Sequence, residues 1–510
     1  MHARVFLALA CALLILRLPS LVQPMGADQG LYAYVGERIL AGELPYRDAW
    51  DQKPPAIHFA YALMRAFWHH DSVVPAVDLL SALAVMALLA ALGRTLAGAA
   101  TGYLAALLFL FLSDPSLQRQ AGVAVRAQCE TFIAVLVTGA FLLLARDREV
   151  RPRVFAAGLL FGAAAAFKYN AGLYAFAGLF ALWTWGALTA RRALDLVAGA
   201  ALVPLALLLV FLISGTFPDL FDATISYNVQ YSGETYRGVG HFLSYLLAFP
   251  VQHARVNGLW LLGGAGCAVL LAAGLHHRER LVAPAWVAAA CLVIAVNGSR
   301  GLPQYFVQAL PALAFAAACA WTVLTGSVKQ RPARVAAIAL LAFAVWRVNE
   351  FSNLVRNVEH DGSYAFGRIS REEHLARYGD PGRRKYSALA MDQLGTFVRE
   401  RTSPNDPIYV FGFSGGAYVS AERRSASRFC WSRPVIVGFN AHKPGYGVAG
   451  LRTDLERERP AIVALQVRDW MPDVQDSAEF FMSTPQLAEW LRANYDPVAG
   501  PAGYETWQRR

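Results

Sequence analysis

Two side chains near the N-terminus place an acid and a base where each can do chemistry: Asp28 and Lys53. The segment around them reads MGADQGLYAYVGERILAGELPYRDAWDQKPPAIHFAYAL. Asp28 precedes a stretch in which Leu31, Tyr34, Val35 and Ile39 form one apolar stripe at helical spacing, and Gly42 is placed to end that helix. Lys53 stands directly before Pro54-Pro55, and proline suits the first turn of a new helix. A positioned carboxylate takes a proton from an attacking hydroxyl. A lysine offsets charge on an anionic leaving group. Each residue also has a plainer reading, Asp28 as a helix cap and Lys53 as an interfacial lysine with its stem in lipid.

The elements that must position these groups are membrane spans. Hydrophobic residues make up 56% of the 510-residue chain and charged residues 16%, against roughly a quarter charged in soluble domains. This excludes a disordered chain and an ordinary soluble enzyme. Residues 1–347 carry 41 charges, and the much shorter stretch 348–510 carries another 41. The net charge of +10 divides as +9 and +1 between the two parts. The basic excess therefore sits between apolar runs, where it sets membrane orientation, and not on a soluble face that would bind nucleic acid.

Eleven apolar runs read as spans, near 4–21, 74–93, 95–112, 128–145, 154–168, 170–190, 193–213, 256–275, 282–297, 305–325 and 333–348. The loops between alternate spans hold Arg94, then Arg146, Arg148, Arg151 and Arg153, then Arg191 and Arg192, then Arg278 and Arg280, then Lys329, Arg331 and Arg334. All lie on one side if the N-terminus is cytoplasmic, and an odd count puts the tail outside. Residues 1–20 read as an uncleaved span, because Arg17 interrupts the run and no small-x-small site follows. Two outer loops are long, 22–73 and 214–255, and long loops are usually functional. The helix of the first loop is expected to lie flat among the lipid headgroups.

The tail alternates helix-like pieces, MDQLGTFVRER and TPQLAEWLRANY, with strand-like ones, PIYVFGF, RPVIVGF and AIVALQV. The expected fold class is mainly α: a polytopic membrane helix bundle over 1–347, with a small extracytoplasmic α/β domain over 348–510. Gly412-Phe413-Ser414-Gly415-Gly416 has the outline of a hydrolase nucleophile elbow, but His442 and Glu422 are poor partners, so a tight turn is expected. His69-His70-Asp71 reads as a polar loop. Asp78, inside the second span, is an ionisable candidate by position. The six cysteines read as small buried thiols.

The first loop resembles the polytopic glycosyltransferases of the C-type superfamily, in the branch of protein O-mannosyltransferases and lipid A aminoarabinose transferases. The matching residues are Asp28, Tyr32, Tyr34, Gly42, Pro45, Tyr46, Asp48, Trp50, Lys53, Pro54 and Pro55. Gln29 stands where the family commonly has Glu, so a carboxylate pair is absent there and a metal is not expected. Pro303-Gln304-Tyr305-Phe306 with Pro311, and Glu130 entering a span, extend the likeness. The resemblance implies transfer of a sugar from a polyprenyl-phosphate donor to a lipid, glycan or protein acceptor of the bacterial cell envelope, with inversion and without a cofactor. Asp28 would be the base. Lys53, with Arg126, Lys168 and Arg300, would face the donor phosphate. Tyr32, Tyr46, Asp51, Glu130, Tyr227, Asn228 and Tyr305 would line the substrate path. Tyr227 fits an interfacial aromatic belt equally well. The alternative is a transporter or flippase of lipid-linked sugar, which should show internal repeats and helices broken at mid-membrane. No repeat is visible. No D-x-D pair or G-x-x-x-x-G-K-[ST] motif points to a metal-dependent nucleotide-sugar enzyme or an ATPase.

Overall fold

The computed structural model describes residues 2–117, 119–120, 123–274, 277–327, 331–379, 386–469 and 474–510. Each apolar run holds a helix: His2–Arg17, Val73–Leu96, Ala99–Leu112, Cys129–Asp147, Arg151–Phe167, Tyr174–Thr184, Ala190–Ile213, Gly258–Gly274, Val282–Val296, Leu310–Ser327 and Arg331–Val348. The helix count matches the runs, but the lengths do not all match a bilayer. Among the described residues, five segments are long and apolar enough to cross alone, and a sixth if Val239–Ala254 and Gly258–Gly274, bent by 117°, form one span. Tyr174–Thr184 has 11 residues, only about 16 Å of rise. The chain is a multi-pass membrane protein.

Glycines let these helices touch. A Cβ on Gly199 of Ala190–Ile213 would stand 2.2 Å from the Phe155 carbonyl oxygen of Arg151–Phe167. On Gly158 it would stand 2.3 Å from the Leu196 oxygen. Such small-residue seams replace the hydrophobic effect, which does not act between helices in lipid.

The arginine loops gather at one end of the bundle. Arg148 lies over Trp185, Arg278 over Trp183, and Arg151 pairs with Asp195 at 2.6 Å. Cys129–Asp147 starts beside Glu130 and ends beside Arg146, and Arg151–Phe167 runs back to Lys168. Glu130 and Lys168 therefore occupy the opposite end. Lys329 lies outside the described residues.

The first long loop folds into helices Ala27–Leu40 and Ala56–Phe67. The helix begins before Asp28, so the capping position falls on Gly26 and Asp28 lies in the first turn. Nor does this helix offer a face to lipid headgroups. Gln29 to Gly36 are buried without a break, because Ala56–Phe67 and the tail helix Gly415–Ala421 cover it. Gly30 meets Gly416 so closely that a Cβ there would stand 2.6 Å from the Gly416 nitrogen. The second loop holds Phe217–Phe221, a π turn Asp222–Ser226, and helices Tyr227–Gly233 and Val239–Ala254.

In the tail, strand Tyr409–Phe411 pairs in parallel with Ile462–Gln466. Tyr504–Arg509 then adds antiparallel, followed by Tyr495–Val498. The RPVIVGF segment is a helical turn, Arg433–Ile436, because Pro434 falls in its first turn. Ser414 is no exposed nucleophile. It is buried, with its hydroxyl bonded to Gln466 Oε1 at 3.0 Å and the Tyr504 hydroxyl at 2.8 Å. All six cysteines are free; Cys129 and Cys430 are buried, whereas Cys11 is exposed.

Gly199→Ala should destabilise the detergent-purified protein by about 1–3 kcal/mol, the usual cost of overpacking. Gly264→Ala, whose Cβ meets nothing within 4 Å, should be neutral or slightly stabilising. Thermal unfolding of both variants checks the seam; equal midpoints would remove it as a packing determinant.

Candidate functional site

Three turns of chain meet at the end of the bundle opposite the arginine loops: the first loop at Gln52–Pro54, the segment Lys168–Asn170, and the second loop from Thr224 to Ser232. With Asn297 and Tyr305 they enclose a cavity of about 280 Å³. Lys53 enters it because Tyr46, held at φ 69°, donates its hydroxyl to the Lys53 carbonyl at 2.8 Å. Lys168 reaches it from the end of Arg151–Phe167, where its ammonium meets Glu130 Oε1 at 2.5 Å and sits 4.4 Å from the Tyr305 ring centre.

Asp28 lies close enough to Lys53 for their charges to interact. Gln304 Nε2 donates to its Oδ2 at 3.2 Å. The residue keeps some solvent access, yet burial raises its pKa above the ordinary carboxylate value, opposed by Lys53 and reinforced by Glu130. Burial alone would lower the Lys53 pKa; Asp28 and Asp51 outweigh it and hold the ammonium charged. Burial pushes Asp51 up to about 7, against the pull of Lys53. His58 Nε2 lies 3.3 Å from Asp51 Oδ2, and burial pulls this imidazole down to about 3. A neutral imidazole thus faces a carboxyl group that titrates near neutrality.

The remaining residues singled out from sequence divide by position. Asn228 lines the cavity and donates to the Gln52 carbonyl at 2.6 Å. Tyr305 lines it beneath Lys168. Tyr32 packs edge-on against His58 and Tyr61, in the core beside the wall. Tyr227 packs on Trp50 and accepts from Arg433 at 2.8 Å. Arg126 is away from the wall. It is buried against Gln23 at 3.0 Å and Asp78 at 3.4 Å. Arg300 stacks 3.7 Å over Tyr231 and bonds Glu234 at 3.1 Å. Asp78 also binds Arg17 at 3.4 Å and takes the Ala127 amide at 3.0 Å, so it anchors backbone. Asp71 and His69 converge on Arg65. Among the described residues, no three His, Cys, Asp or Glu side chains gather as a metal site would need. Gln29 binds the Gly26 amide and donates to the Arg126 carbonyl at 2.6 Å, tying the Asp28 turn to the Glu130 segment.

Sequence reasoning missed Gln52, Asn170, Asn297 and Arg433. Gln304 was visible inside the Pro303–Phe306 motif but carried no role. Arg433 comes from the tail, bonds Glu234 at 2.8 Å and so shares that carboxylate with Arg300. Nothing local to the Arg433 sequence signals this meeting.

The raised Asp51 pKa gives a signed prediction. Between about pH 4, the free carboxyl range, and about pH 7, the folded state keeps a proton that the unfolded chain has lost. The Asp51 contribution to stability should therefore fall as pH rises through that window and level off above it, opposite in sign to the contribution of His58, which is held neutral in the fold. Asp51→Asn should remove the falling contribution and so shift the slope upward by at most about 1.4 kcal/mol per pH unit, the limit for one group. Unfolding midpoints across the window check this; identical slopes would leave Asp51 ionised throughout.

No family model matches the sequence, and no curated protein matches it. Solved structures do. ArnT from Cupriavidus metallidurans in the apo state superposes with a TM-score of 0.61 at 15% identity, covering 99% of this chain and 97% of that one. The same protein bound to undecaprenyl phosphate gives 0.59 at 16% identity, with the same coverage. The archaeal oligosaccharyltransferase AglB from Archaeoglobus fulgidus, in complex with an inhibitory peptide and a dolichol-phosphate, gives 0.55 at 12% identity over 100% of this chain and 74% of that one. At such identities the likeness speaks for the fold, and it spans the membrane helices and the tail together. This chain shares the fold of these solved structures, ArnT and AglB.

Proposed function

We propose that this protein is an integral membrane glycosyltransferase that moves a sugar from a polyprenyl-phosphate donor to a cell-envelope acceptor on the extracytoplasmic face. The observation that carries the reading is a carboxylate with a raised pKa, Asp28, held by Gln304 and interacting with Lys53 and Lys168, which line one cavity. Its support from fold is the likeness to ArnT bound to undecaprenyl phosphate.

In this reading the acceptor nucleophile attacks the anomeric carbon and gives its proton to Asp28. The bond from that carbon to the phosphate oxygen breaks, and configuration inverts. The leaving phosphate gains negative charge, which Lys53 and Lys168 offset. A raised carboxylate pKa suits a base that works near neutral pH. Gln304 fixes one oxygen of Asp28 and so aims the other. Arg126 and Arg300, engaged elsewhere, shape the surroundings instead. Lipid, glycan and protein acceptors all fit this chemistry.

Residues 1–347 form the membrane transferase domain, and residues 348–510 a domain that closes over its loops. Lys443 bonds Asp222 at 2.9 Å, Arg428 meets Asp219 at 3.2 Å, and the Trp50 amide donates to the Arg428 carbonyl at 2.8 Å. The arginine loops at the far end of the bundle support the outer placement of this assembly.

Asp28→Asn retains the size and hydrogen bonding of the side chain but loses the base. Donor-lipid binding should remain near wild type, while transfer falls by about 10² or more. Lys53→Ala should cut turnover by about 10²–10³ in a protein that still folds and inserts. Both are measured with a polyprenyl-phosphate sugar and cell-envelope extract. Near-normal transfer by Asp28→Asn would shift the base to Asp48, Asp51 or Glu130.

Topology is tested separately. A reporter enzyme fused after Arg510 should be active only outside the cytoplasm. Cytoplasmic activity would invert the bundle and place Asp28 on the wrong face.

A further inference from the structure

Among the described residues, the cavity wall is basic and amide-rich and includes no acid. Lys53 and Lys168 line it, and none of its lining residues is Asp or Glu. Glu130 pairs with Lys168 and Asp28 acts electrostatically on Lys53, and neither carboxylate belongs to the lining. Among the described residues, the lining offers a sugar ring ammonium groups, amides, hydroxyls and the rings of Tyr231 and Tyr305; Asp28, outside that lining, serves the acceptor proton in the transferase reading.

Two wall amides have unmet bonds. Asn228 and Asn170 are committed to protein partners: Asn228 Nδ2 to the Gln52 and Thr224 carbonyls, Asn170 Nδ2 to the Val293 carbonyl and Asn297 Oδ1. By contrast, Gln52 Oε1 and Asn297 Nδ2 are buried and meet no hydrogen-bond partner among the described residues. Gln52 as a whole is only 8% exposed. An unmet buried polar group is costly, and the terminal amide torsion is soft, so a ligand that supplies the missing partner is favoured. The two atoms are one acceptor and one donor. A sugar hydroxyl satisfies either.

From this wall we infer that the cavity reads a single uncharged sugar ring of the donor, with Gln52 and Asn297 as its specificity-determining residues, and that it disfavours a cationic amino sugar. The inference rests on the transferase reading above. Size agrees: about 280 Å³ lies just below the range of pockets for drug-sized ligands, which begins near about 300 Å³, and suits one ring with its phosphate. An ammonium-bearing sugar would bring a third cation into a space with two and find no acid in the wall to pair with.

The test is competition for the detergent-purified full chain against labelled undecaprenyl phosphate. The competitors are the bare carrier, polyprenyl-phosphate glucose, mannose and galactose, and polyprenyl-phosphate glucosamine and galactosamine with the amine protonated. At least one neutral donor should bind about tenfold tighter than the carrier, and both amino-sugar donors should bind no better than it. Gln52→Leu should erase the neutral donor's advantage over the carrier. Gln52→Glu and Asn297→Asp place an acid in the wall and should each shift preference toward the amino-sugar donors by about tenfold, with melting temperatures confirming the fold. An amino-sugar donor that outcompetes every neutral one, or no donor that outcompetes the carrier, overturns the inference. Failure of undecaprenyl phosphate itself to bind would instead remove the transferase reading.

Discussion

The ion pair between Lys168 and Glu130 is the contact on which the cavity depends. Both side chains are almost fully buried, and an isolated charge in such a place costs several kcal/mol. Each is tolerable only because the other stands 2.5 Å away. The pair joins the end of Arg151–Phe167 to the start of Cys129–Asp147, and it holds an ammonium over Tyr305 at the wall. Removing either partner would strand the other charge, so the geometry of the cavity and the folding of the helix ends are one problem.

The same rule organises the layer beneath. Arg17, Arg126, Asp78 and Asp114 form a buried cluster with two charges of each sign. Asp78 holds the Ala127 amide, where the backbone takes a φ of 43°, and Gln29 holds the carbonyl just before it. The turn that delivers Glu130 is thus clamped from the second apolar helix and from the first loop together. Gln29, where the likeness would have a carboxylate, serves here as a two-sided hydrogen-bond bridge.

Most of the distinctive first-loop residues shape the loop without lining the cavity. Trp50 is fully buried among Tyr227, Phe429, Trp431 and Phe439, so one indole joins the first loop, the second loop and the tail. Tyr46 orients Lys53 through its backbone. Gly30 against Gly416 lets the tail press on the helix that carries Asp28. The tail therefore belongs to the architecture of the site: it covers one side of that helix, and Arg433 and Glu234 complete the surroundings of Tyr231.

The sequence by itself determined the apolar runs, and with them eleven helices, because burying a backbone in lipid leaves helix as the local solution. It also determined the arginine asymmetry and the separate short motifs that carry Asp28 with Lys53, Glu130, and Tyr305, since these are properties of composition and short spacing. Tertiary structure decided what spacing does not contain. Asp28 lies inside its helix and not at the cap, because Gly26 takes the cap and Gln29 closes it. Arg126 and Arg300, equal to Lys168 as basic residues at span ends, were diverted to Asp78 and Glu234 by partners 48 and 66 positions away in the chain. RPVIVGF, β-branched enough for a strand, became a helical turn that delivers Arg433 to the second loop. Gln52 and Asn297 are unremarkable amides in sequence; they matter because folding buried each beside a cavity with one bond unmet. Local pattern fixes which elements form, whereas long-range pairing of buried charge fixes which side chains are left to act.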